Sequence, residues 1–322
     1  MCGPGRAGRI SWSGAAKIVV TVAVLATLLY RVDPRSIVRA WLDIRVDRAM
    51  AALLLVPLNI FCQYSRLRVG IARVHPAAGP RNTFRALLVG LALGSVTPGR
   101  LGELAGVMVL PTGGRRRVVG VLGVLRGYGF FATMSLGLLM WAWSPGLLGL
   151  PAAWSRAAAS LCFFGVIAVV VAGEVFFTRL RLPVIERLAS RFRGIEDVFV
   201  GMRALWRSDR LWFGLWSLGL SVVFLTQLVF LVRAFGGKVG WAEGVAAGAI
   251  TTGIVALLPI AAGGIGIRES AAIIVWGHLG VPAPVAFNGA FVLFVINAVA
   301  PGLVGLVWHA LAQNTAETGP VP

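Results

Sequence analysis

The chain has 322 residues, of which 58% are apolar and only 13% are charged, and its mean hydropathy is +0.85. Several apolar runs are too long for a soluble core and long enough to cross a bilayer, which excludes a soluble globular protein and indicates a polytopic membrane protein. The net charge of +18 does not indicate nucleic-acid binding, because the basic residues cluster between apolar runs, where they set topology and meet anionic lipid.

The apolar runs predict an all-α integral membrane protein with a single transmembrane domain over residues 1–312. The predicted spans are about Gly14 to Tyr30, which we interpret as a retained signal anchor, then Ala49 to Tyr64, Val118 to Trp143, Ala157 to Phe177, Leu211 to Val232 and Val285 to Leu311. Thr178 to Arg210 alternates arginine with apolar residues, which favours an amphipathic helix on the membrane surface. Residues 313–322 are polar, and we expect a disordered cytoplasmic tail.

Two further apolar segments, about Ala86 to Leu110 and about Val245 to Gly277, are each interrupted by a glycine-rich turn. Residues 98–103 read Pro-Gly-Arg-Leu-Gly-Glu, and residues 263–269 read Gly-Gly-Ile-Gly-Ile-Arg-Glu. A charge near the bilayer centre is costly, and broken backbone there lacks water to bind. Such turns persist only against protein or a wet cavity, so they are the candidate functional site.

The flanking charges predict that the first broken segment is a re-entrant hairpin. A simple crossing would place one of two basic clusters outside, against the positive-inside rule, whereas a hairpin keeps both inside. Ala86 to Val96 and Leu101 to Leu110 each cover about half of a ~30 Å bilayer at ~1.5 Å per residue. The clusters are Arg66, Arg68, Arg73, Arg81 and Arg85 before the segment, and Arg115, Arg116 and Arg117 after it.

Counting spans onward, the second hairpin opens from the opposite face, and both termini lie in the cytoplasm. Hairpins that enter from opposite faces are typical of inverted repeats, which build a substrate site at the bilayer midplane. We therefore predict inverted repeats over about residues 48–143 and 211–311, in a protein of the cell membrane.

The two motifs at this spacing resemble the lysylphosphatidylglycerol synthase transmembrane region family, over about residues 14 to 311. The resemblance implies an inverted-repeat fold with two re-entrant helices, associated with moving lipids or lipid-linked headgroups between leaflets. One departure concerns the span after the first hairpin. Family members often have an acidic residue beside an arginine there, whereas here Leu125 precedes Arg126, so we expect that electrostatic contact to be absent.

The chemistry of the turns suits a phosphate-bearing headgroup. Half-helices that begin near Leu101 and Ile267 would present N–H groups to an anion, and arginine adds forked donors. The glutamates would balance the arginines, accept a headgroup amine or carry a coupling proton. The candidate substrate-binding residues are Arg100, Glu103, Arg268, Glu269, Gly99, Gly102, Gly264 and Gly266, and the residues that break the helices are Pro98, Pro259 and Gly263.

Several alternatives stand beside direct headgroup contact. The arginines and glutamates could instead pair with each other and only hold the hairpins. On helical geometry Arg100 and Glu103 can pair locally, whereas adjacent Arg268 and Glu269 should point apart, so we expect one pair to form across the hairpins. Arg126 is interpreted as a residue that snorkels to the interface. Gln227 and Asn297 are interpreted as interhelical hydrogen-bonding residues.

No motif predicts an enzyme, a cofactor or a metal site. The three histidines lack ligand spacing, and no nucleotide-binding loop is present. The expected function is a translocator of a phospholipid or lipid-linked headgroup, with membrane lipids of anionic or phosphate-bearing headgroup as partners. The alternatives are an accessory protein that presents a lipid to a membrane synthase or glycosyltransferase and, third, a small-anion transporter. A homo-oligomer or a complex with a partner membrane enzyme is compatible with each.

Overall fold

The computed structural model describes residues 33–144, 151–179, 195–205, 207–258 and 263–317, and every element among them is helical. The predicted all-α membrane class is confirmed. The first predicted span, Gly14 to Tyr30, and the predicted helix breaker Pro259 lie outside the described residues.

In chain order, we number the described α-helices α1 to α13. They are α1 Pro34–Leu42, α2 Val46–Leu54, α3 Val56–Val74, α4 Pro80–Val96, α5 Gly102–Ala105 with a 3-10 turn Gly106–Val109, α6 Arg115–Trp143, α7 Ala152–Arg179, α8 Ile195–Arg203, α9 Arg207–Ala234, α10 Trp241–Leu257, α11 Ile267–Gly277, α12 Ala283–Phe294, which continues through a π-helical turn Val295–Val299, and α13 Ala300–Glu317.

Four helical segments of the described chain are long and apolar enough to cross a membrane. They are Val46–Val74, Arg115–Trp143, Asp209–Ala234 and Ala283–Gln313. Each contains a predicted span and extends beyond it, and in the first three segments the added residues include arginines. The second span in particular continues ten residues beyond its predicted end at Tyr64, to Val74.

The first broken segment folds back on itself as a helical hairpin. Its outgoing arm is α4, and its returning arm is α5 with the 3-10 turn. The arms touch backbone to backbone: a Cβ on Gly102 would collide with the carbonyl of Leu93, and one on Gly106 would collide with the carbonyl of Ala86. Glycine at these two positions therefore sets the spacing of the arms. We name this unit the first hairpin.

The second broken segment forms a corresponding hairpin from α10 and α11. The indole of Trp276 is fully buried and lies 3.6 and 3.8 Å from where side chains on Gly244 and Gly248 would begin. The small residues of α10 thus make room for the largest side chain of α11. We name this unit the second hairpin.

The two hairpins enter the helical bundle from opposite ends, and helix α6 connects these ends. At its start, the Nε of Arg115 donates to the carbonyl of Leu110 at the base of the first hairpin, over 3.0 Å. At its end, the hydroxyl of Ser144 donates to Glu243 at the base of the second hairpin, over 3.3 Å. Since α6 has 29 residues, these ends lie about 43 Å apart at ~1.5 Å per residue.

Helix α13 fixes the first hairpin in place by packing antiparallel against α4. A Cβ on Gly302 would lie 2.6 Å from the Cα of Ala92, and Gly305 lies equally close to Leu88 one turn further on. This contact uses the small-residue spacing that lets membrane helices approach closely.

Of Thr178 to Arg210, predicted as an amphipathic helix on the membrane surface, the structure describes helix α8, and residues 180–194 lie outside the described part. Helix α8 packs against the start of α6, where Gly201 lets its backbone touch the carbonyl of Arg117, and its place relative to the membrane stays a prediction. One sequence expectation needs correction. The polar tail was expected to begin at Gln313, but α13 continues to Glu317.

The Gly302→Ala variant should lower stability by about 1–3 kcal/mol, because its methyl group has no room against the α4 backbone. The measurement is the midpoint of thermal unfolding of the purified protein in detergent. Gly214→Ala is the matched control, since a Cβ there meets nothing within 4 Å. Equal midpoints for the two variants would contradict close packing of α4 on α13.

Candidate functional site

Each hairpin has a tip, which is the turn between its two arms: residues 97–103 in the first hairpin and 263–269 in the second. The two tips meet in the interior of the bundle. The backbone N–H of Gly263 donates to the carbonyl of Thr97 over 2.9 Å. A Cβ on Gly263 would collide with the carbonyl of Ser95, so only glycine permits this approach. The predicted pair of hairpin tips is thus a single structural unit that joins the two halves of the chain.

A cluster of charges lies at the first tip and is centred on Glu103. The Nε of Arg100 lies 2.7 Å from one carboxylate oxygen, and Nη2 of Arg126 lies 3.1 Å from the other. Arg126 also donates to the backbone carbonyl of Arg100. One carboxylate therefore holds two guanidinium groups, one from the hairpin and one from α6.

The interpretation of Arg126 as a snorkelling residue is wrong, and so is the expectation that its electrostatic contact is absent. The side chain of Leu125 is buried, but Arg126 reaches Glu103 directly. A usable signal was present in the sequence. Arg126 stands about 16 Å along α6 from its start at Arg115, at ~1.5 Å per residue, which is too deep for easy access to the interface.

A third arginine, Arg66 of α3, shares a small cavity with Glu103 and Arg126. The cavity has a volume of about 50 Å³. Arg66 lies within electrostatic range of Glu103, Arg100 and Arg126. Sequence reasoning assigned Arg66 to a cytoplasmic loop, because the predicted span ended too early.

The second tip is arranged differently. One carboxylate oxygen of Glu269 accepts the N–H of Gly266 over 2.6 Å, which caps the start of α11. The guanidinium of Arg268 donates to the carbonyl of Gly263 over 2.8 Å and stacks on the ring of Phe294 at 4.3 Å. The two charged groups also approach each other to 3.9 Å, so the expectation that they point apart is wrong.

The two tips differ in accessibility. The side chains of Arg100 and Glu103 are 40% and 25% exposed, whereas those of Arg268 and Glu269 are 12% and 1% exposed. The first pair is open to a ligand, and the second is enclosed by protein. Among the described residues, each Arg–Glu pair stays within its own hairpin, so the expected pair across the hairpins is replaced by the backbone hydrogen bond at Gly263.

Free helix N-termini do not form an anion site at the first tip. The N–H of Gly102 donates to the hydroxyl of Thr97 over 2.6 Å, and that of Glu103 donates to the carbonyl of Arg100 over 3.1 Å. Helix α5 is also only four residues long, so its dipole is small. Side chains, not backbone donors, are therefore the groups available to an anion.

The turn residues of both tips have left-handed backbone. Gly99, Gly263, Gly264 and Gly266 all have positive φ, which glycine adopts without steric cost. Arg100 also has positive φ, at 55°, and is the one non-glycine residue with this conformation in the described part of the chain. Such strain is found at functional sites, where a side chain is held in place at a cost of about 1–3 kcal/mol.

A buried amide network lies beside the cavity and confirms the interpretation of Gln227 and Asn297. The Gln227 side-chain oxygen accepts from both Asn59 and Asn297 over 3.0 Å. Gln63, which lines the cavity, donates to Asn59 over 2.7 Å. This network ties α3, α9 and the π-helical turn together behind the charged cluster.

Comparison with known proteins agrees with this architecture. Residues 14–305 match the family model described as the lysylphosphatidylglycerol synthase TM region. A search of curated proteins finds no match.

Replacing Gly263 by alanine should separate the hairpin tips, because the methyl group collides with the α4 carbonyl at Ser95. We expect a larger fall in the thermal midpoint than for Gly280→Ala. Gly280 also has positive φ but has no neighbour within 4 Å, so it reports backbone strain alone. Equal losses in the two variants would mean that the tip contact adds no stability.

The strain at Arg100 can be measured by comparing Arg100→Gly with Arg100→Ala. Both variants lack the guanidinium group, but only glycine accepts a φ of 55° freely. We expect the glycine variant to be more stable by about 1 kcal/mol in thermal or denaturant unfolding. A less stable glycine variant would show that the left-handed turn is not retained in the folded protein.

Proposed function

Since the chain belongs to the lysylphosphatidylglycerol synthase transmembrane region family, we propose that it moves a phospholipid or a lipid-linked headgroup between membrane leaflets. The lipid is bound and released without chemical change, so the protein acts as a translocator and not as an enzyme. Its partners are membrane lipids with an anionic or phosphate-bearing headgroup.

One observation carries this proposal: an open cluster of arginines around a single carboxylate, at the tip of a hairpin inside the bundle. Arginine forks bind phosphate in a bidentate manner, and the low dielectric of the interior strengthens that attraction. Ionisable residues at such depth are expensive and generally mark a substrate pathway. The exposure of Arg100 supports direct contact with a headgroup at this tip.

The geometry suggests how binding and release proceed. In the empty state Glu103 neutralises part of the charge of Arg100 and Arg126. An entering phosphate competes with Glu103 for the same guanidinium donors. When the lipid leaves, Arg100 and Arg126 regain the one carboxylate that they share, which lowers the barrier to release. We assign the enclosed pair at the second tip a supporting role, in which Arg268 and Glu269 hold the turn against which the first tip rests.

The charge distribution supports a position in the cell membrane with both termini cytoplasmic. The bundle end at the base of the first hairpin carries Arg81, Arg85 and the run Arg115 to Arg117. The opposite end has arginines that are offset by Asp43, Asp47 and Glu243. By the positive-inside rule the first end faces the cytoplasm.

The test is transbilayer movement of fluorescent phospholipids in liposomes that contain the purified protein, read by quenching the outer leaflet. We expect Arg100→Gln and Arg126→Gln to slow movement about tenfold or more, because each removes a charge-assisted contact worth about 1.5–3 kcal/mol. Both variants should keep most of the wild-type thermal stability.

Arg39→Gln is the control for the same change of charge, since Arg39 lies on the exposed helix α1. It should move lipid at the wild-type rate. If the wild-type protein binds lipid but moves none, whatever the headgroup, translocation is refuted and the accessory role of presenting lipid to a membrane enzyme replaces it.

A further inference from the structure

Within the part of the chain that the structure describes, no salt bridge joins Arg66 to an acid, although Glu103 lies within electrostatic range of it. Arg66 projects from α3 into the cavity that Glu103 and Arg126 also line. Among the described residues, its Nη1 donates one long hydrogen bond, of 3.4 Å, to the carbonyl of Leu125. A guanidinium group has five N–H donors, so most of this donor capacity remains for a ligand.

The charges around the cavity do not balance. Arg66, Arg100 and Arg126 supply three positive charges. Among the described residues, Glu103 supplies the one negative charge that pairs with Arg100 and Arg126 and lies within electrostatic range of Arg66. Gln63, the remaining polar residue of the cavity wall, is neutral. Arg268 does not alter this count, because Glu269 lies beside it. The surplus is therefore two positive charges in a region of low dielectric.

The rest of the cavity wall is apolar. Leu67, Ile71, Leu87, Leu122 and Leu125 are among the apolar residues that line it. A free inorganic anion gains nothing from such a wall, whereas the first carbons of a lipid chain gain about 0.8 kcal/mol for each buried CH₂ group. Charge and wall together fit an amphiphile with a compact, strongly negative head.

We propose that the site selects a lipid phosphomonoester, whose terminal phosphate carries close to two negative charges, and that Arg66 is the residue that recognises the second charge. This inference rests on the proposed function and names its substrate class. A phosphodiester lipid carries one charge at the phosphate and leaves one cation of the cluster without a partner. The phosphate binds at the half-exposed side of Arg100 and Arg126, and Arg66 reaches it from the cavity.

The experiment measures binding to the full-length protein in detergent, so it does not depend on translocation. The probes are phosphatidic acid and phosphatidylglycerol with identical acyl chains, a polyprenyl monophosphate, and inorganic phosphate. We expect both monoester lipids to bind about tenfold or more tightly than phosphatidylglycerol, because they engage one more charge-assisted contact. Inorganic phosphate should bind more weakly than either monoester.

Variants of Arg66 assign the selectivity to its charge. Arg66→Gln should bind phosphatidic acid and phosphatidylglycerol equally, whereas Arg66→Lys keeps the charge and should retain most of the preference. Arg39→Gln, far from the cavity on an exposed helix, should behave as the wild type. If Arg66→Lys also loses the preference while its thermal midpoint is unchanged, Arg66 still recognises the phosphate, but through its forked N–H donors and not through its charge alone.

Three results would overturn the inference. Equal binding of monoester and diester lipids by the wild type removes the selectivity, and an unchanged preference in Arg66→Gln removes the role of Arg66. Inorganic phosphate that binds as tightly as the lipids would replace the lipid with a free anion. None of these results tests transbilayer movement, so the proposed function fails or stands separately in the liposome assay.

Discussion

The contact between the two hairpin tips is the constraint on which the rest of the molecule depends. In each hairpin the helical arms end inside the bundle, where the backbone groups at a helix end have no water to bind. The carbonyl of Thr97 at the first tip accepts the N–H of Gly263, and within the second tip the guanidinium of Arg268 donates to the carbonyl of Gly263 itself. Close packing of α4 on α13 and of Trp276 on α10 holds the arms in the positions that this contact requires.

The charged residues of the two tips have different tasks. In the second hairpin both stabilise the turn, since Glu269 caps the start of α11 and Arg268 donates to the carbonyl of Gly263. The first hairpin has Thr97 for that purpose, because its hydroxyl accepts the N–H of Gly102. Arg100 and Glu103 are consequently not needed to complete the turn. They remain available to Arg126, to Arg66 and to a ligand, although the sequence motifs of the two tips look alike.

The sequence predicted the fold well because lipid leaves few alternatives. Long apolar runs must be helices, and two glycine-rich interruptions flanked by arginines on one side must turn back. Sequence also found the residues at both tips. It misplaced Arg66, because a span boundary drawn where the apolar run stops cannot tell an arginine at the interface from one within the bundle. It misinterpreted Arg126, which lies inside a predicted span, because the sequence does not show that Glu103 lies against it.

The sequence by itself thus determined the class of protein, the two hairpins and the presence of an arginine and a glutamate at each tip, because hydropathy and backbone satisfaction act locally along the chain. Only the tertiary structure decided which charges meet. Glu103 lies between residues contributed by the first hairpin and by α6, with Arg66 of α3 across the cavity. These partners are distant in sequence, and their encounter depends on helix packing that no local pattern encodes.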